Sequence, residues 1–468
     1  MFLDDTIAAI STPLGEGGIG IVRLSGKDAL PIAEKLFSSP KGRKLRESES
    51  HTLTYGFIKN PSAGTTVDEV LVAVMKAPHT YTKEDIVEIN CHGGILAVRK
   101  VLELALQHGA RLAEPGEFTK RAFLNGRLDL SQAEAVMDLI TAKTGEAAKI
   151  ALEQLSGGLS EKITGLRDRL TSVCANVEAY IDFPEEEIEP ASMDRILNEV
   201  QDIRGSLLSL SKSFEEGRFF REGLRVAIVG RPNVGKSSLL NALLNRDRAI
   251  VTEIAGTTRD TLEEYLSING LPARIMDTAG IRKTHEMAEK EGVARSLRAM
   301  DDADVVIGVI DGTCSLHDED MVVMEKIMNK KAIIAVNKSD LPTAEGLEMQ
   351  IRPYSENILK ISARTGAGLG MLKEKILDMS MVRNRKTEVG GAFDEGAGAI
   401  ITNIRHKVAV DNAVSDLTNG ASALAASVPL ELVAVEMRDA LDRLGEIVGT
   451  VTTDDILNRI FSEFCIGK

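Results

Sequence analysis

Three textures of apolar and polar positions follow one another along the chain. Up to about residue 120, short apolar runs alternate with turns, and Thr6–Ile10, Gly18–Leu24, Val67–Met75 and Ile86–Asn90 predict strands. Helical periodicity interrupts them at Asp28–Phe37 and Ile95–Gln107. Lys59–Gly64, with its Asn, Pro, Ser and Gly, marks a loop between strands. This first segment therefore reads as a small α+β domain.

From about Ser131 apolar residues recur three and four positions apart through Ala133–Leu155, Leu166–Tyr180 and Met193–Phe214, which predicts packed helices. The acidic stretch Phe183–Pro190 reads as a solvated connection between two of them. Helical texture returns at Val408–Leu417, Leu430–Ile447 and Asp454–Phe464. Between the two helical blocks lies an α/β pattern. The expected layout is multidomain: an N-terminal α+β domain over 1–120, a helical domain over 121–221 and 381–468, and an α/β domain over 222–380 inserted into it.

Composition narrows the class. A chain of 468 residues exceeds one ordinary core, and 43% hydrophobic with 27% charged residues reads as soluble and globular. No run reaches the roughly twenty apolar residues of a membrane span, and Met1-Phe-Leu-Asp-Asp5 lacks signal-peptide character, so no membrane association is expected and the cytoplasm is the expected location. Cys91, Cys174, Cys314 and Cys465 form no CxxC pair, which argues against zinc and a disulfide scaffold. A net charge of −14 disfavours general nucleic-acid binding without excluding RNA as a substrate.

The chemistry begins where the apolar run Leu224–Val229 meets Gly230-Arg-Pro-Asn-Val-Gly-Lys-Ser-Ser238 and a helical Leu239–Leu244. Strand, GxxxxGK[ST] loop and helix in that order form a phosphate cradle: Gly230 and Gly235 admit close backbone approach, Lys236 reaches the outer phosphates and Ser237 can ligate Mg²⁺. Asp277, ending the run Ile275-Met-Asp-Thr-Ala-Gly280, can reach the Mg²⁺ shell, and Gly280 the γ-phosphate. Asn337, Lys338 and Asp340 follow a buried strand, and the Asp340 carboxylate can accept from N1 and the 2-amino group of guanine, which adenine cannot match. A last predicted strand, Asn357–Arg364, offers the amides of Ser362 and Ala363 to guanine O6. Thr257 or Thr258 in Ala255–Asp260 can touch Mg²⁺ when the γ-phosphate is present.

Ile281 occupies the position after the DxxG glycine where many regulatory GTPases carry a water-orienting glutamine. Another group must position the water, and Glu286, Glu289 and His285 are the candidates. No arginine finger can be assigned. Asn233 either forms the turn after Pro232 or lends its oxygen to a monovalent cation.

GRPNVGKSS, GTTRD, DTAGIR and NKSD resemble the Era-like GTPases. Thr12–Arg23, Glu88–Gly94, Glu114–Asn125 and the final Phe464-Cys-Ile-Gly-Lys468 add a resemblance to the MnmE (TrmE) family of tRNA-modification GTPases that spans the chain. It implies a folate-binding, dimerising N-terminal domain, a helical domain and an inserted G domain. The implied partners are a second copy, in a homodimer, and the FAD-dependent MnmG (GidA), in a heterotetramer acting at C5 of the wobble uridine of tRNA. By position, GTP would be held by Asn233, Val234, Gly235, Lys236, Ser237 and Ser238, by Thr252, Glu253, Ile254, Ala255, Gly256, Thr257 and Thr258, and by Asp277, Thr278, Ala279 and Gly280. Asn337, Lys338 and Asp340 with Ser362, Ala363 and Arg364 would hold the base, Arg364 standing where a lysine is more frequent.

The same resemblance makes Ser237 and Thr258 the Mg²⁺ ligands, Asn233, Thr252, Ile254 and Thr257 the K⁺ ligands, and Glu289 the catalytic water-orienting residue. Arg23, Glu88, Arg127 and Lys468 would bind 5-formyl- or 5,10-methylene-tetrahydrofolate, Arg127 replacing the lysine also found there. Cys465 serves either chemistry or tail packing. The alternative, an Era-like ribosome-assembly switch, predicts a basic RNA-binding module, whereas the acidic balance and the CIGK ending favour tRNA modification.

Overall fold

A computed structural model describes residues 4–183, 190–247, 264–276, 299–380, 399–426 and 428–468. These fall into two compact units, one of residues up to 137 with 445–468, the other of the described residues from 138 to 444.

The first unit is built on seven strands: β1 Ile7–Ile10, β2 Gly17–Ser25, β3 Phe37–Ser38, β4 Thr52–Lys59, β5 Thr66–Met75, β6 Ile86–Gly93 and β7 Arg111–Leu112. They form one sheet in the order β3-β4-β5-β6-β2-β1-β7, antiparallel except for the β1–β7 edge. Helices Ala29–Leu36 and Ile95–Gln107 cover one face, joining Val22, Leu24, Val72 and Ile89 in a buried core. On the other face Ile7, Ala9 and Phe118 of helix Glu117–Leu124 form a smaller cluster with Tyr81.

The predicted strands and both predicted helices of this unit are present. β4 was not among the predicted runs, because Leu53 and Tyr55 point to the exposed side while Thr54, Gly56 and Ile58 are buried, the reverse of an apolar-inward strand's usual alternation. The Lys59–Gly64 loop closes the β4–β5 hairpin, with Asn60 Oδ1 accepting from Ser62 N at 2.9 Å and Ala63 N at 3.3 Å.

The second unit contains a six-stranded sheet of β8 Leu224–Val229, β9 Glu264–Ile268, β10 Leu271–Met276, β11 Val305–Asp311, β12 Ala332–Asn337 and β13 Ile358–Lys360, in the order β13-β12-β11-β8-β10-β9. All neighbours are parallel except the β9–β10 hairpin. β8 is apolar at nearly every position because both faces are covered: Leu224, Val226 and Ile228 pack with Leu240, Leu372 and Ile376, and Ala227 and Val229 with Met324 and Ile327. β13 is shorter than predicted, since the chain turns after Ile361, Gly366 N bonding to Ser362 O at 2.8 Å.

Most of the helical blocks belong here too, while the start of helix Leu130–Thr141 and residues 445–468 fall in the first unit. Ala133–Leu155, which reads as one stretch, is two helices, Leu130–Thr141 and Gly145–Leu155, because Thr144 adopts an extended backbone and caps the second by accepting from Ala147 N at 3.2 Å. Helices Gly158–Asp182, Pro190–Lys212 and Phe214–Glu222 follow. Helix Ile404–Ala425, from beyond the α/β segment, packs along Pro190–Lys212, with Asp411 accepting from Ser211 Oγ at 2.6 Å and Gln154 Nε2 donating to Ile400 O at 2.9 Å. Helices from both flanks thus share one core.

Candidate functional site

The end of β8 and the start of helix Lys236–Asp247 hold the loop Gly230–Gly235 in a shape that side chains would prevent. Gly230 has φ 151° and a Cβ there would stand 2.3 Å from Val309 O; Gly235 has φ 102° and its Cβ would stand 2.2 Å from Asn337 Nδ2. Asn233 also takes a left-handed backbone, φ 63°, with an exposed side chain. Lys236 folds back and donates to Gly230 O and Arg231 O, both at 2.8 Å. Burial lowers its ammonium's pKa, as does nearby Arg231, while Asp320 acts against them, so an anion in the loop would meet a poorly solvated cation. Ser237 and Ser238 are exposed at the first turn of the helix, where amides and dipole favour anions.

Asn337, buried at the end of β12, joins this loop to the chain beyond β13: its Nδ2 donates to Val234 O at 2.8 Å and its Oδ1 accepts from Ala363 N at 2.9 Å. Asp340 is exposed and accepts from Ser362 Oγ at 2.6 Å, a bond that holds its acid below the usual range and keeps it an acceptor. Arg364 is exposed beside it. Lys338 pairs with Asp311 at 2.5 Å. Asp311 was not singled out from sequence; an acid ending the buried run Val305–Ile310 is the signal that marks it. Thr252, Glu253, Ile254, Ala255, Gly256, Thr257, Thr258, Asp277, Thr278, Ala279, Gly280, Ile281, His285, Glu286 and Glu289 lie outside the described residues.

A second constellation lies in the first unit. Arg23 of β2 and Glu88 of β6 are cross-strand partners, with Nε donating to Oε1 at 2.7 Å. Phe118 lies under the Arg23 guanidinium, 5.6 Å from its ring centre. The helix that carries Phe118 is fixed by Arg121, 1% exposed and bonded to Asp5 at 2.6 Å and to Glu84 and Glu117 at 3.1 Å. Cys465–Lys468 docks beside this pair: Gly467 O accepts from Ser11 Oγ and from Arg23 Nη1, both at 3.2 Å, and Pro115 bridges to Ile466. Burial and the Arg23 charge lower the Lys468 ammonium's pKa, while Glu88 acts against them. Arg127 stacks over Tyr81 at 4.7 Å and donates to its carbonyl at 3.3 Å. Tyr81, which sequence reasoning missed, feels both Arg127 and Arg23, and its hydroxyl meets Thr119 at 2.9 Å. Cys465 is exposed.

A glycine-lined phosphate loop tied by Asn337 to an Asp340–Ser362 acceptor defines a P-loop protein that binds guanine nucleotide. A family model of the MnmE helical domain matches residues 130–465, and one of the GTP-binding protein TrmE N-terminus matches residues 6–127. The tRNA modification GTPases MnmE of Moorella thermoacetica, Clostridioides difficile and Acetivibrio thermocellus are 49%, 47% and 46% identical to the chain, over 100% of both sequences in each case. The chain belongs to the MnmE family of tRNA modification GTPases. Among the described residues no helix is long and apolar enough to cross a membrane.

Proposed function

We propose that the chain hydrolyses GTP while introducing an aminomethyl-type group at C5 of the wobble uridine of certain tRNAs, in the cytoplasm, together with FAD-bearing MnmG and a tetrahydrofolate one-carbon unit. The division of labour is a folate-binding and dimerising segment 1–120, a helical domain from 121–221 and 381–468, and a G domain, 222–380. The observation that carries this reading is Cys465–Lys468 seated against Arg23 and Glu88 in a chain that also has a phosphate loop and an Asp340 acceptor held by Ser362. A ribosome-assembly switch gives that second constellation no task.

In the G domain, Gly230–Ser238 wrap the phosphates. Lys236 leaves the carbonyls of Gly230 and Arg231 for the phosphate oxygens, and its desolvation makes that exchange favourable. Asn337, Lys338, Asp340 and the amides of Ser362 and Ala363 hold the base. Ser237 and Thr258 would hold Mg²⁺; Asn233, Thr252, Ile254 and Thr257 would hold K⁺, which would supply the charge an arginine finger supplies elsewhere. The exposed Asn233 side chain on a left-handed loop residue fits that role. Glu289 orients water for in-line attack at the γ-phosphate.

For the folate, Arg23, Glu88, Arg127 and Lys468 fit: a carboxylate suits the amino and amide edge of a pterin, and Arg127 over Tyr81 and the desolvated Lys468 suit anionic groups. The bound folate supplies the one-carbon unit. The exposed apolar pair Tyr55 and Leu71, cross-strand neighbours on β4 and β5, with Leu53 beside them, supports association with a second copy. The test is a gene deletion read by mass spectrometry of tRNA nucleosides. Loss of the C5-modified wobble uridine is expected; intact modification with unassembled ribosomal subunits accumulating would favour the ribosome-assembly alternative.

A further inference from the structure

Three side chains of the Asn337–Asp340 segment each have a holder: Asn337 is tied to Val234 and Ala363, Asp340 to Ser362, and Lys338 to Asp311. The last of these is built by topology. β11 and β12 are parallel neighbours with Asp311 in register with Asn337, so the residue after Asn337 emerges beside Asp311. The two strand ends are locked together, Gly312 N donating to Asn337 O at 2.9 Å and Ala344 N to Gly312 O at 2.8 Å. There is no room for a side chain at Gly312, whose Cβ would stand 2.8 Å from Asn337 O.

The Asp311 carboxylate is held on both oxygens. Oδ1 accepts from Thr313 N at 3.0 Å and Thr313 Oγ1 at 2.6 Å, and Oδ2 accepts from Lys338 Nζ at 2.5 Å. Its side chain is 11% exposed and that of Lys338 35%, so water screens the pair only in part. Lys338 also takes a left-handed backbone, φ 66°, unusual for a long side chain. A lysine in that conformation with its ammonium fixed has a stem that is no longer free to sweep the surface.

We infer that Asp311 is a positioning residue for guanine-nucleotide binding, holding the Lys338 ammonium so that the lysine stem forms a fixed wall of the base pocket. This rests on the GTP reading above. Because the cost of ordering Lys338 is met before nucleotide arrives, Asp311 acts on affinity and leaves the chemical step alone.

Titration of the full-length protein with a fluorescent GDP analogue and steady-state GTP hydrolysis test it. Asp311→Asn is expected to weaken nucleotide binding and raise KM by about 10- to 100-fold, with kcat at saturating GTP unchanged. In a Lys338→Ala background the same change should have no further effect. Thr313→Val, which leaves the charge but removes one support, should give a smaller loss in the same direction; thermal unfolding of each variant establishes that it is folded. Asp311→Asn binding like wild type, a fall in kcat with KM unchanged, or equal losses with and without Lys338 would overturn the inference alone. Wild-type protein taking up no guanine nucleotide would overturn the GTP reading and this inference with it.

Discussion

Gly235 and three of the four thiols show how much a residue's type reveals about its place. Gly235→Ala would combine a φ of 102° with a Cβ 2.2 Å from Asn337 Nδ2, so the alanine must break the Asn337–Val234 bond or shift the loop. The expected cost is about 1–3 kcal/mol of stability, read by thermal unfolding, and GTP binding should be lost in calorimetry. Glycine advertises such a position in sequence, which is why the phosphate loop was legible. Asn233 and Lys338 take left-handed backbones without glycine, so their geometry was not. The thiols were equally mute. Burial pushes Cys91 up to about 12 and Cys174 up to about 11, whereas Cys465 is exposed. Titration with a thiol reagent near pH 8 should therefore modify Cys465 in the native protein and reach Cys91 and Cys174 only on unfolding. Fast native labelling of Cys91 would contradict its burial.

Between elements, periodicity located helices well and their ends poorly. Met193–Phe214 reads as one stretch because its apolar spacing continues, yet helix Pro190–Lys212 stops at Ser213 and Phe214–Glu222 starts anew. Long-range contacts decide that break: Ser213 Oγ accepts from Ile401 N at 3.1 Å, and a Cβ on Gly217 would lie 2.0 Å from Ile401 O. No local signal encodes a partner 188 residues away. The second helix is fastened to the G-domain sheet through Asp304, which accepts from Arg218 at 3.2 Å and from Arg225 at 3.1 Å. Burial tends to raise the Asp304 pKa, but the Arg225 bonds and the Arg218 charge outweigh it and hold the carboxyl below 3.8. The unfolded chain therefore binds the proton more readily, so the stabilisation is present above 3.8 and is lost as pH falls through the lower folded value. Asp304→Asn should be less stable than wild type near pH 7, and the gap in urea unfolding should close as pH falls below 3.8. A gap independent of pH would mean that packing, and not charge, makes Asp304 matter.

Over the whole molecule the two constellations lie in different compact units, the phosphate loop with Asn337 and Asp340 in one, Arg23, Glu88 and Lys468 in the other. Sequence motifs announced the first because phosphate cradling needs glycine, lysine and serine at fixed spacing. Nothing local announced the second: Arg23 and Glu88 are 65 positions apart, and Gly467 is 444 from the arginine that bonds its carbonyl, so only the resemblance to a family joined them before the fold did. This separation predicts separable losses. Removing Cys465–Lys468 deletes the acceptor for Ser11 and Arg23 and the Lys468 charge, yet among the described residues none of these bonds involves the nucleotide loop. GTP affinity should stay within about twofold of wild type, a change worth under 0.5 kcal/mol. Wobble-uridine modification in cells should fall to the level of a gene deletion. Asp340→Asn should behave in the opposite order, losing guanine selectivity first and modification as a consequence. A tail-deleted protein that still modifies tRNA would remove Lys468 from the folate set, and one that no longer binds GTP would show that the two sites are energetically coupled.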